Sequence, residues 1–183
     1  MNNTNKSINF RKDIRTKEEF ARAIKLHTTK EVYLIKLFKT EMKHRGIKIK
    51  YRSYGINNSG EIVEKRTNCK ADYKIWWPCE TVMLLEIKNS PTNKWTYKVS
   101  HLEEYSKTNT HILVFWNTGK IYEDFSLLDK INTRFGIIKP SKIEKMILTY
   151  PHYKNRSFGY KVCITVPHED FKKWVKIEKL TLY

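Results

Sequence analysis

Asp72, Glu86 and Lys88 set two carboxylates and an ammonium within seventeen residues of one another. Residues 81–88 read as a strand, because Val82, Met83, Leu84, Leu85 and Ile87 form a nearly unbroken apolar run, the pattern of a strand covered on both faces. Two charged residues interrupt its end. Side chains two apart in a strand project from the same face, so Glu86 and Lys88 lie side by side. A carboxylate and an ammonium at the end of a buried strand are costly unless they pair or bind something. Asp72 lies on the preceding segment, 70–77, which also has strand character. If Trp77, Pro78, Cys79 and Glu80 turn the chain, the two strands are antiparallel neighbours and Asp72 comes close to Glu86. Paired carboxylates offer hard oxygen ligands suited to Mg²⁺, which keeps several waters and takes few protein carboxylates. A cation held that way polarises a phosphate oxygen and helps generate hydroxide. A lysine beside it can orient the attacking water or stabilise transition-state charge.

Such a trio needs a sheet and helices to hold it. Thr16 and Glu19 form a capping-box pattern that opens a short helix to about Leu26. A second, stronger helix follows, capped by Thr28 or Thr29 and stopped by Gly46, with Val32, Leu34, Ile35, Leu37, Phe38 and Met42 as its apolar face. Glu31 shares that stripe, either as a helix-dipole partner in the first turn or facing the sheet near the metal. Residues 47–54 alternate as a half-exposed strand, 57–60 turn, and a return strand begins at 61–67 and reaches Asp72. Lys48, Lys50, Arg52, Lys65, Arg66, Lys70 and Lys74 line this hairpin, as a phosphate-contacting surface or as a solvated charged face; the charge excess favours the first.

Asn89, Ser90 and Pro91 break the strand after Lys88, and the spacing of Trp95, Val99, Leu102 and Tyr105 predicts a helix through about Lys107 capped by Thr92 or Asn93. Lys94 and Lys98 on it are candidate DNA contacts. Residues 111–116 form a second buried strand, and the helix between makes a parallel β-α-β unit with a right-handed crossover. Beyond it, 122–131 holds a short helix, 143–150 and 158–166 read as strands, and 170–179 reads as a basic amphipathic helix whose Lys172, Lys173 and Lys176 grip DNA or form a dimer contact.

The chain has 183 residues, suggesting one domain: a basic arm at 1–15, a core at 28–116 and a C-terminal extension at 117–183. Lys and Arg outnumber Asp and Glu by 36 to 19, giving a net charge of +17, which favours nucleic acid or an anionic membrane as partner. No apolar run approaches the ~20 residues of a membrane span and the start has no apolar signal region, so the expectation is a cytoplasmic protein without a membrane partner. Cys69, Cys79 and Cys163 show no paired spacing, which argues against a disulfide framework or a zinc or iron–sulfur centre. Low Gly and abundant Asn, Lys and Ile suit an AT-rich genome such as that of a virus or mobile element, in which case the location is the host cytoplasm.

Asp72, thirteen residues, then Glu86-Ile87-Lys88 resembles the PD-(D/E)XK nuclease superfamily over residues 28–116, in its resolvase and viral-exonuclease branch. Ala71 stands where Pro gives the motif its name, a position that varies in the family. The order helix, strand, strand, Glu86 strand, helix, strand matches the family's αβββαβ core. The resemblance implies an α/β, restriction-endonuclease-like fold with a mixed central sheet flanked by helices. It implies a Mg²⁺-dependent deoxyribonuclease, with Mn²⁺ as a substitute, acting on duplex, junction or single-stranded DNA in replication, recombination or repair. Asp72, Glu86 and the Ile87 carbonyl would hold the metal, Lys88 would orient or activate water, and Glu31 matches a metal-site glutamate of resolvase-like members. His101, four before Tyr105, stands where some exonucleases carry glutamine, and could contact phosphate or be a surface helix residue. A homodimer is the family's default. The alternatives are a non-catalytic basic nucleic-acid-binding protein and an RNA-directed nuclease.

Overall fold

The structure, a computed structural model, describes residues 16–55, 71–89, 94–116 and 134–179. The expected arm at 1–15, the hairpin tip with Lys65, Arg66 and Lys70, and the helix expected at 122–131 lie outside them.

The first helix, α1 (Lys17–His44), is one continuous element where two were expected. Its capping box is the predicted one: the Thr16 hydroxyl accepts from Glu19 N–H and the Glu19 carboxylate accepts from Thr16 N–H. Thr28 and Thr29 do not start a new helix. The Thr29 hydroxyl instead donates back to Lys25 O at 2.9 Å, which satisfies a mid-helix threonine without a break. Gly46, at φ +77, takes the left-handed conformation just after the helix.

Three antiparallel strands follow: β1 (Lys50–Ser53), β2 (Tyr73–Trp76) and β3 (Val82–Asn89). β4 (Lys94–Lys98) and α2 (Val99–Lys107) then lead to β5 (Thr110–Trp116), which lies parallel to β3 with Glu86 opposite Ile112. The chain ends through β6 (Arg134–Ile138), α3 (Pro140–Thr149), β7 (Tyr153–Asn155), β8 (Lys161–Pro167), α4 (His168–Phe171) and β9 (Lys176–Lys179). β1-β2-β3-β5-β6-β9 make a mixed six-stranded sheet, and β4-β8-β7 make a second, antiparallel one. The protein is therefore α/β, with β3 and β5 central.

β5 is buried on both faces, and its alternation divides the core. Leu113 and Phe115 join Leu34, Ile35, Phe38 and Met42 of α1, with Ile75, Leu85 and Ile87 of the sheet. Ile112, Val114 and Trp116 join Leu102 and Tyr105 of α2, Ile143 and Met146 of α3, and Trp95, Ile164 and Val166 of the small sheet. Each such side chain contributes on the order of 1.5–3 kcal/mol by leaving water.

Three expectations are corrected. Residues 94–98 are strand rather than helix, because Trp95 and Tyr97 alternate inward and pair across to β8. The segment expected as a strand at 143–150 is α3, begun by Pro140 at its first turn, with Ile143 and Met146 one turn apart on the buried face. The expected basic helix at 170–179 shrinks to the single turn of α4, and Lys176 begins an edge strand on β6. Among the described residues no helix is long and apolar enough to cross a membrane.

Candidate active site

The antiparallel register pairs Tyr73 with Leu85, so one step further Asp72 arrives opposite Glu86. The Asp72 carbonyl is committed to the other neighbour, accepting the Tyr54 N–H at 2.9 Å, and the regular β2–β3 pairing ends at Tyr73. The Asp72 side chain fills the gap: Oδ2 accepts the Ile87 N–H at 2.8 Å. A strand residue's N–H and C=O project toward the same edge, so the Ile87 carbonyl is directed to the side where the Asp72 carboxylate sits.

Glu86 and Lys88 project together from the opposite face to Leu85 and Ile87, and the Lys88 ammonium pairs with Glu86 Oε1. The Glu86 side chain is 6% exposed and that of Lys88 33%. Glu86 Oε2 is buried with no hydrogen-bond partner. Burial, then the neighbouring Glu86 charge, holds the Asp72 carboxyl well above the usual carboxylate range; Lys88 and the Ile87 N–H act against this. Burial alone would discharge Lys88, but Glu86 and Asp72 overcome it and keep the ammonium above its ordinary pKa. Lys88 is thus a fixed cation and donor, not a proton acceptor near neutrality.

Glu31 lies fourteen residues into α1, far from the dipole end, which removes the helix-start reading. Its carboxylate pairs with His27 Nδ1 at 2.9 Å, and its charge acts on Asp72, Tyr73 and Lys88. His101 is half-buried on α2, edge-on to Tyr105. Burial, with Lys98 and Lys88 beside it, depresses its pKa to about 4, so the imidazole is neutral at pH 7. Glu86 also acts on it, which puts His101 at the site rather than on a remote surface.

Among the other predicted residues, Lys48, Lys50, Arg52 and Lys94 are exposed and Lys74 and Lys98 half-buried. The Lys98 ammonium lies over the Phe158 ring at 5.2 Å. Lys161 also reaches His101 with its charge. It sits on β8, sixty residues away in sequence, and no local pattern announces it.

Among the described residues no three His, Cys, Asp or Glu side chains gather into a metal centre by themselves. The geometry brings two carboxylates together, not three. That pair still suits a hard divalent cation: two desolvated carboxylates repel, one buried oxygen lacks a partner, and a backbone carbonyl is directed to the same place. Comparison with known protein families and with characterised proteins finds no match.

Proposed function

We propose that the protein is a divalent-metal-dependent nuclease of the PD-(D/E)XK type that hydrolyses DNA phosphodiester bonds, with α1, β1, β2, β3, α2 and β5 as its restriction-endonuclease-like core. The observation that carries the reading is the Asp72 carboxylate docked on Ile87 N–H between Glu86 and Lys88. A structural ion pair needs Glu86 and Lys88 alone; it does not need a second carboxylate driven against the first at a cost in repulsion.

Asp72, Glu86 and the Ile87 carbonyl would hold Mg²⁺ or Mn²⁺. When bound, the cation supplies Lewis-acid polarisation of the phosphate and activation of water. Lys88 stays protonated, held by Glu86 and Asp72, and donates to the attacking water or to a phosphate oxygen as charge grows. Glu31, held by His27, adds negative charge that acts on Asp72 and Lys88 and so supports the site. Neutral His101 offers one N–H or one lone pair without repelling the cation. The net charge of +17 supports a polyanionic substrate. Hydrolysis breaks one P–O bond by in-line attack of water, with no covalent enzyme intermediate.

The test is cleavage of single-stranded DNA, duplex, four-way junction and RNA with Mg²⁺ against EDTA. Metal-dependent scission of a DNA substrate is expected. Binding to all four with cleavage of none would establish the non-catalytic binding protein instead, and scission of RNA alone the RNA-directed enzyme.

A further inference from the structure

Trp76 and Trp77 are neighbours on opposite faces of the sheet, and only one of them has an apolar role. Trp77 packs edge-on to Phe38 of α1, with ring centroids 6.4 Å apart. Trp76 projects from the other face, where the residue opposite it on β3 is the exposed Val82. Its described ring partners are cations: Arg52 lies 5.3 Å and Lys74 5.5 Å from the ring centroid. The second core cluster, which covers this side of the sheet at β5, contains no residue of β1, β2 or β3.

Arg52 and Lys74 are also direct cross-strand partners. Like charges placed opposite each other in an antiparallel pair destabilise it, and among the described residues neither has a carboxylate partner. Lys50 stands opposite Trp76 on the same face. Three cations around one outward tryptophan answer to an anion that also carries an aromatic group.

The register gives the direction of the track. Val82, Leu84 and Glu86 alternate along one face of β3, and Trp76 and Lys74 lie beside the first two. Four residues of strand separate Trp76 from the Glu86 level, or ~13 Å, a span of a few nucleotides. Resting on the nuclease reading above, we propose that Trp76 is a base-stacking platform for a single-stranded segment of the substrate, whose phosphates run past Arg52, Lys74 and Lys50 to the Asp72–Glu86 pair. On binding, the two cations leave the half-buried Trp76 ring for phosphates and a base takes their place on it, since stacking a base on an aromatic ring outweighs a surface cation–π contact. A duplex cannot use this platform, because its bases are already stacked on one another.

The experiment measures binding in EDTA, so cleavage plays no part. The probes are a short labelled oligodeoxynucleotide, its abasic counterpart with an intact sugar–phosphate chain, and the matching duplex. Trp76→Ala is expected to weaken the intact strand ~5- to 150-fold, Trp76→Phe to retain most of the affinity, and both to bind the abasic strand as the wild type does. Arg52→Ala with Lys74→Ala should weaken intact and abasic strands alike. Equal losses for Trp76→Ala on intact and abasic strands would mean a structural effect and would overturn the proposal, as would no loss on either or tighter wild-type binding to duplex than to single strand. Such a failure leaves Mg²⁺-dependent cleavage, measured separately, untouched, so the two readings fail independently.

Discussion

The Asp72 carboxylate takes a backbone's place beside Ile87: its Oδ2 accepts the Ile87 N–H at 2.8 Å where the next ladder bond of β2 and β3 would fall. One side chain therefore both ends the pairing of the two strands and delivers a carboxylate to the Glu86–Lys88 step.

This double role separates two substitutions. Asp72→Asn keeps an acceptor for Ile87 N–H and removes the repulsion with Glu86, so thermal stability without metal should be unchanged or higher. Asp72→Ala leaves that N–H unsatisfied and should cost about 1–3 kcal/mol. Both should lose Mg²⁺-dependent cleavage. Melting curves in EDTA, paired with the cleavage assay, check the split.

His101 gives a pH signature. Its pKa falls from 6.5 to about 4 through burial and the lysines around it. A depressed folded-state pKa contributes stability that is present above the unfolded value and lost as pH falls through the folded one. Stability should therefore decline between pH 6.5 and 4, and His101→Gln should flatten that part of the decline while keeping cleavage at neutral pH. A His101 imidazole resonance titrating near 6.5 would contradict the placement.

Salt should weaken binding steeply. If Arg52 and Lys74 each neutralise one phosphate, replacing both with Ala should reduce the double-logarithmic salt slope by about 1.8 on duplex and 1.4 on single strand. An unchanged slope would assign the charge excess elsewhere.

Gly136 tests the sheet edge. A Cβ there would collide with Val175 Cγ2 and the Lys176 carbonyl where the chain enters β9, which pairs along β6. Gly136→Ala should cost about 1–3 kcal/mol by overpacking, with no direct effect on the distant Asp72–Glu86 pair. Denaturant unfolding measures it.

Much of this was legible before the structure because its signals are local. Val82 to Leu85 and Ile112 to Trp116 are near-continuous apolar runs, the pattern of strands covered on both faces. The two-residue period set Glu86 beside Lys88, and the turn after Trp77 fixed the register that brings Asp72 across. What misled was equally physical. Thr28 and Thr29 carry a capping signal that the Thr29–Lys25 hydrogen bond cancels. Trp95, Val99, Leu102 and Tyr105 fit helical spacing, yet Trp95 and Tyr97 also alternate, and their partners on β8 lie some seventy residues away. Trp76 carried a readable clue: adjacent tryptophans in a strand must face opposite ways, so one of them faces away from the α1 core.

If Lys88 is the charged donor proposed above, Lys88→Ala should lower kcat ~10²–10³-fold, with slightly weaker DNA binding because a positive charge is lost. Single-turnover cleavage alongside binding in Ca²⁺ separates the two effects.

Glu86→Gln separates metal-dependent cutting from DNA binding. The side chains are nearly isosteric, so the fold should persist, while the amide is a poorer Mg²⁺ ligand than the carboxylate. If the site takes phosphate as proposed, removing a negative charge from it should ease binding. The measurement is cleavage with Mg²⁺ and binding without it, for wild type and variant side by side. Glu86→Gln is expected to bind DNA as tightly as the wild type or tighter and not to cut it. Undiminished cleavage by Glu86→Gln would rule out Glu86 as a metal ligand of a nuclease site.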